Sequence, residues 1–225
     1  MTNTLHRYGS ADSFNDDVIV FAITSKGKND EGAVPKLKQF LSMAVAFKPV
    51  NMGDGAKGGA LRASKNLNPT SHWRRDHTPN FQAVIDGLDK AGTAAVVFDN
   101  RQNAIGFVKK VKEAELGLCV NISTSVEGAE EILDACGLPR HSVNYSLGFE
   151  GHTEKLPSTQ VLTLTTMCGH GMISQSLAKK MIDWVKEGRR TPDEAVCYMS
   201  RFCSCGVFNP MRAVRILEDA RTHME

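Results

Sequence analysis

Cys168, His170, Cys203 and Cys205 are the residues of this chain whose types and spacing could do chemistry. Thiolates and an imidazole together suit thiophilic metals such as zinc and iron, or an iron–sulfur cluster. The same groups, without metal, make a nucleophile or an acid/base pair. Three functions fit them. In the first, Cys168, Cys203 and Cys205 hold a metal ion or an iron–sulfur cluster with one coordination position open, for lyase chemistry (elimination or hydration) on a small carboxylated metabolite. In the second, Cys168 with His170 is a metal-free thiolate catalyst, an isomerase or dehydratase, with Cys203 or Cys205 as partner acid or resolving thiol. In the third the chain is no enzyme, and the cysteines form a structural zinc site or a redox sensor. A gap of 35 residues followed by C-x-C is not a spacing that selects among these.

The elements around these residues explain why they should meet. The apolar, β-branched run Val161 to Thr166 reads as a strand, so Cys168 is expected at a strand-to-helix turn. The helix that follows shows Ile173, Leu177, Met181 and Trp184 on one face. A second helix opens at Thr191-Pro192-Asp193-Glu194, a capping box with proline at its first turn, and a third at Asn209-Pro210. The short link 188–191 makes the first two an antiparallel pair, which returns Cys203 and Cys205 to Cys168. A helix start would also hold the Cys168 thiol pKa down through its unpaired N–H groups. Cys119, Cys136 and Cys197 have apolar neighbours and read as small core residues.

The segment Met167-Cys168-Gly169-His170-Gly171 locally resembles a turn of the proline racemase and hydroxyproline epimerase/dehydratase family. The resemblance implies a cysteine acting as acid/base at the α-carbon of an amino acid, whose carboxylate lies over backbone N–H groups. It is carried by these five residues, and that family's second catalytic cysteine turn has no counterpart in this chain.

Upstream, strands are expected at Val18 to Thr24, Ala94 to Phe98, Leu118 to Ile122 and Ser142 to Phe149. Helices are expected over Ala33 to Phe47, Phe81 to Leu88, Ala104 to Ala114 and Val126 to Ala135, the last behind a capping box from Thr124 to Glu127. This alternation predicts one α/β domain over 1–225, with a mixed or mostly parallel sheet, flanking helices and a C-terminal three-helix cap, 163–225, that bears the cysteines. In such a sheet ligands collect at the carboxyl ends of strands. Lys26, Asn121 and Thr166 are therefore expected to bind substrate, with Arg62, Arg74 and Arg75 from the irregular stretch 48–79 as carboxylate clamps. Gly53-Asp54-Gly55-Ala56-Lys57-Gly58 fits G-x-G-x-x-G, but no convincing strand precedes it and no long helix follows. No nucleotide cofactor is expected, and a loop lending Lys57 or Arg62 to an anion fits better.

A chain of 225 residues with 41% hydrophobic and 23% charged residues can build a core without disulfides. A formal charge of +2, with basic and acidic residues interspersed, argues against nucleic acid as a partner. The start lacks an apolar signal region and no run is long enough to span a membrane, so a cytoplasmic protein with free cysteines is expected. The expected partner is a small anionic substrate, and a homo-oligomer stays open.

Overall fold

The structure is a computed structural model, which describes residues 3–61 and 79–222. Its sheet has five strands in the order β3-β2-β4-β1-β5: β1 (Val18–Ile23), β2 (Asn51–Asp54), β3 (Gly58–Gly59), β4 (Thr93–Phe98) and β5 (Cys119–Ser123). Every neighbouring pair is antiparallel. This corrects the mostly parallel sheet expected from the sequence, and the reason is topological. Helix α1 (Ala33–Val45) carries the chain from β1 to β2, and α3 (Arg101–Ala114) carries it from β4 to β5. Each is a strand-helix-strand unit with parallel strands, but the two units interleave, β4 between β1 and β2, and β1 between β4 and β5. This is the split βαβ arrangement, whose linear rhythm is the same as that of a parallel sheet.

Both faces of the sheet are covered, and the side-chain period of two sorts them. Val18, Val20, Ala22, Met52, Ala94, Val96 and Phe98 pack with α1, α2 (Phe81–Gly87), α3 and α4 (Val126–Cys136). Ile19, Phe21, Ala95 and Val97 pack with a second helical layer, α5 (Thr159–Thr165), α6 (Gln175–Lys186), α7 (Pro192–Ser200) and α8 (Pro210–Thr222). The expected three-helix cap is thus a four-helix layer that shares its core with the sheet. No helix among the described residues is long and apolar enough to cross a membrane.

Two expected strands are absent. Val161 to Thr166 lies in α5 and its cap, where Ser158 accepts from Val161 N and the threonine hydroxyls bond back into the helix. Thr163 donates to Thr159 O at 2.8 Å, and Thr166 to Leu162 O at 2.7 Å. These bonds satisfy the hydroxyls of β-branched residues in a helix whose turns are buried on all sides, so no periodicity marks it. Ser142 to Phe149 has no regular structure and pairs with none of the described strands, and Gly148 within it turns to φ +91°. The cap of α4 is Ser125, accepting from Gly128 N, in place of the Thr124 box.

The N-terminal segment is fastened to α8 by a buried polar cluster. Asp17 is fully buried and accepts from Arg7, from Arg212 Nη1 at 2.8 Å and from Asn209 Nδ2 at 3.0 Å. Asn209 also caps α8, its Oδ1 accepting from Arg212 N at 3.0 Å. Arg212 donates further to Ser13 Oγ at 2.9 Å and to Tyr8 O at 3.2 Å, with its guanidinium over the Phe14 ring. Two guanidiniums share one carboxylate, and carbonyls, a hydroxyl and an aromatic face complete their environment.

Candidate metal centre

Cys168 lies between α5 and α6, in a turn closed by Gly169 N donating to Thr166 O at 2.8 Å, with Gly169 at φ +81°. Cys203 and Cys205 lie in the connector between α7 and α8, where Cys203 N donates to Ser200 O at 3.1 Å as the helix ends. The two connectors meet. The Sγ atoms of Cys168 and Cys205 and a ring nitrogen of His170 all lie within 4.8 Å of one another. Cys203 Sγ, which is not one of that group, is 3.5 Å from Cys205 Sγ. Cys168 and Cys203 are each 2% exposed, while His170 and Cys205 are half-buried, so the cluster has an inner and an outer side. His170 Nδ1 is buried and has no hydrogen-bond partner in the structure. A buried ring nitrogen ordinarily finds one.

The connector carrying Cys203 and Cys205 is seated on the hairpin β2–β3. Gly206, at φ +72°, packs its backbone against Gly53, Gly59 and the Met52 carbonyl, and a Cβ there would stand 2.4 Å from Gly53 Cα. A Cβ on Gly53 would stand 2.1 Å from Cys205 O, and one on Gly59 2.2 Å from Gly206 Cα. Three glycines therefore let three backbones touch. Asn51, on the same sheet face as Gly53, donates from Nδ2 to Phe208 O at 2.8 Å. Val207 and Phe208 then plug the core before Asn209 starts α8. The glycine-rich stretch 53–59 is thus the floor of the cysteine connector. Lys57, expected to be offered to an anion, pairs with Asp89 at 2.6 Å and donates to Gly87 O at 2.5 Å.

Of the three thiols, Cys203 is the one held down: the neighbouring Cys168 thiol first, then the Cys205 thiol and the N–H groups of Phe208 and Cys205, pull its pKa well below the ordinary thiol value despite burial. Cys168 is pushed up to about 12, first by its bond to Cys203, with burial adding to the rise and the Cys205 thiol opposing it. Cys205 is raised by its bonds to Cys168 and Cys203 and by burial. The expectation of an activated Cys168 thiolate at a helix start is therefore corrected. Helix α6 begins only at Gln175, capped by Ser174, too far along the chain for its first turn to act on Cys168.

The expected substrate residues do not gather here. Lys26 is exposed in the turn after β1, at the end of the sheet where β4 begins, whereas Ser123 and Asp99 lie at the opposite end. Antiparallel neighbours separate the carboxyl ends that a parallel sheet would align. Asn121 is half-buried on β5, donating from Nδ2 to Cys119 Sγ at 3.6 Å. Thr166 accepts from Tyr8 N at 3.0 Å and so helps to fix the N-terminal segment. Arg62, Arg74 and Arg75 lie outside the described residues. Cys119 is exposed, contrary to expectation, because β5 is the edge strand; Cys136 and Cys197 are buried. Sequence reasoning missed Asn51, Gly53, Gly59 and Gly206, although the density of glycine at 53–59 was a visible signal of close backbone contact.

No protein family, curated protein or solved structure matches this chain. What the chain does must therefore be argued from its own side chains.

Proposed function

We propose that Cys168, Cys203, Cys205 and His170 bind one thiophilic divalent metal ion, zinc or ferrous iron, as a centre that locks the two connectors together. The observation that carries this is the unpartnered His170 imidazole converging with the Cys168 and Cys205 sulfurs within 4.8 Å. Ligands at about 2.3 Å from a tetrahedral ion stand about 3.8 Å apart. The Cys203–Cys205 separation of 3.5 Å fits two ligands on a single ion, whereas the cysteines of a [4Fe–4S] cluster each bind a separate iron and need wider spacing. Four protein ligands favour a structural or redox-sensing centre over a catalytic one.

The half-exposure of His170 and Cys205 favours a second reading, in which the three thiolates stay and the imidazole gives way to a small carboxylated metabolite. A metal there would supply Lewis acidity toward a leaving hydroxyl or sulfur group, in a lyase reaction. His170→Ala separates the two: a structural centre loses affinity, whereas an exchangeable position retains metal on three thiolates and takes up small carboxylates, read from the spectrum of the cobalt-substituted protein.

Metal analysis of anaerobically purified protein, with zinc titration of the chelated form, is expected to give about one ion per chain. Cys168→Ser and Cys203→Ser should each weaken zinc binding by more than about a hundredfold, and Cys119→Ser should leave it unchanged. Failure to bind zinc, or binding that ignores Cys168 and Cys203, would sink the proposal.

The pH dependence follows from the thiols. Cys203 is held well below the ordinary thiol value, whereas the raised Cys168 and Cys205 thiols must each lose a proton to become ligands. Binding should therefore release about two protons, and affinity should rise about a hundredfold per pH unit and weaken on acidification. Calorimetric titration in buffers of different ionisation enthalpy counts those protons; zero release would contradict the raised Cys168 and Cys205 thiols.

A further inference from the structure

Every residue from 139 to 156 is exposed, and apart from one short 3₁₀ turn at Thr153–Lys155 this arm has no regular structure. Yet it is not a polar linker. Val143, Tyr145, Leu147 and Phe149 alternate along it at 43%, 67%, 86% and 46% exposure. Alternation at a period of two is the signature of a strand with one buried face, and here none of the described residues buries it. Its far end is held where the Phe149 ring meets Tyr8 at 5.7 Å.

The same side of the molecule has a strand without a neighbour. β5 pairs with β1 along one edge only. A cavity of about 690 Å³ is lined by Asn121 and Phe21, which share one sheet face, and by Val120 and Ile122 on the other. A void bordered by both faces lies off the strand's edge, where a sixth strand would run. Exposed edges in monomeric proteins are ordinarily blunted by lysine, proline or an inward-pointing charge. β5, Cys-Val-Asn-Ile-Ser, has none of these, and Ser142 to Phe149 is equally free of charge.

We propose that the chain forms a twofold dimer by exchanging this arm: 142–149 of each copy pairs along the open edge of β5 in the other. The occupant is a second copy because one chain carries both halves of the contact, an unpaired strand-patterned arm and an edge that no described strand pairs and whose own residues carry no charge, with Arg7 donating to Ser123 O at 3.1 Å at its end. The arm's own residues 142–146 border the cavity as a wall while Leu147 beside them projects to solvent, so the arm does not fill its own groove. Each copy gives one arm and takes one, so the exchange is closed at two. Main-chain bonds along β5 supply affinity and the alternate apolar side chains supply register.

Sedimentation of the full chain should show a dimer. Tyr145→Asp with Leu147→Asp, at two side chains that contact no core, should convert it to a monomer with unchanged circular dichroism. Co-expressing a chain bearing Asn121→Cys with one bearing Tyr145→Cys, both with Cys119→Ser, should give a covalent heterodimer with a short thiol cross-linker. A monomer at all concentrations, or a dimer indifferent to the two aspartates, would overturn the proposal. So would a doubly substituted chain that links only within itself, which would mean that the arm closes its own groove.

Discussion

Gly206→Ala is expected to cost about 3 kcal/mol or more of stability and to weaken metal binding with it. The new methyl would meet only backbone: Gly53 Cα at 2.4 Å, Met52 O at 2.6 Å and Gly59 Cα at 2.7 Å. Backbone cannot rotate out of the way as a side chain can, so the connector must lift from the hairpin and carry Cys205 away from Cys168. Part of the cost is the left-handed φ of +72°, which an alanine occupies at a penalty of about 1–2 kcal/mol. Gly171→Ala measures that part alone, since φ is +65° there and a Cβ meets nothing within 4 Å. Denaturant unfolding of the two variants gives the contact term by difference. Equal losses would show that the glycine seat does not hold the connector.

Asp17→Asn should cost about 3–5 kcal/mol, although it changes one atom. The carboxylate is the only acid bonded to Arg7 and Arg212 among the described residues, and an amide in its place leaves both guanidiniums buried without a counter-charge. Burial already lowers the Arg212 pKa, with Asp17 opposing that effect. Arg215→Ala tests the contrast at the surface: its nearest acid, Asp16, is 3.9 Å away and both side chains are largely exposed, so a change below about 0.5 kcal/mol is expected. A double-mutant cycle on Asp17 and Arg212 isolates the pair. A small effect of Asp17→Asn would mean that water or the Tyr8 and Ser13 oxygens satisfy the arginines unaided.

Local signals in the sequence were reliable where the physics is local. The capping box at Thr191 and Glu194, the Asn209-Pro210 start and the periodicity of α1 and α3 lie where the residues place them, whereas α6 starts only at Gln175, after Ile173, and α4 is capped by Ser125 in place of Thr124. β1, β4 and β5 were visible as apolar runs. The direction of the sheet was not, because strand-helix-strand order says nothing about which strand inserts between the pair. A run buried all round, such as Val161 to Thr165, carries no period, and only the threonine back-bonds reveal it as a helix. The meeting of Cys168 with Cys203 and Cys205 was legible from the short α6–α7 link. Which thiol is held down was not, since that depends on thiol contacts and on the N–H groups of Phe208 and Cys205, set by a glycine seat far away in sequence.

The bond between Asp17 and Arg212 spans 195 residues, and it has a consequence for synthesis. β1 and β4 leave the ribosome with Ile19, Phe21, Ala95 and Val97 facing the side that only α5 to α8 will cover. The half of the molecule with α1 to α4 can collapse on its own face of the sheet once α4, ending at Cys136, has emerged. The other face stays open until nearly the whole chain has emerged, because α8 completes the cover and ties down the N-terminal segment. A nascent chain of this protein therefore carries an uncovered apolar sheet face for most of its synthesis, a substrate for chaperones and a route to aggregation. Truncation before α8 would leave that cover permanently incomplete.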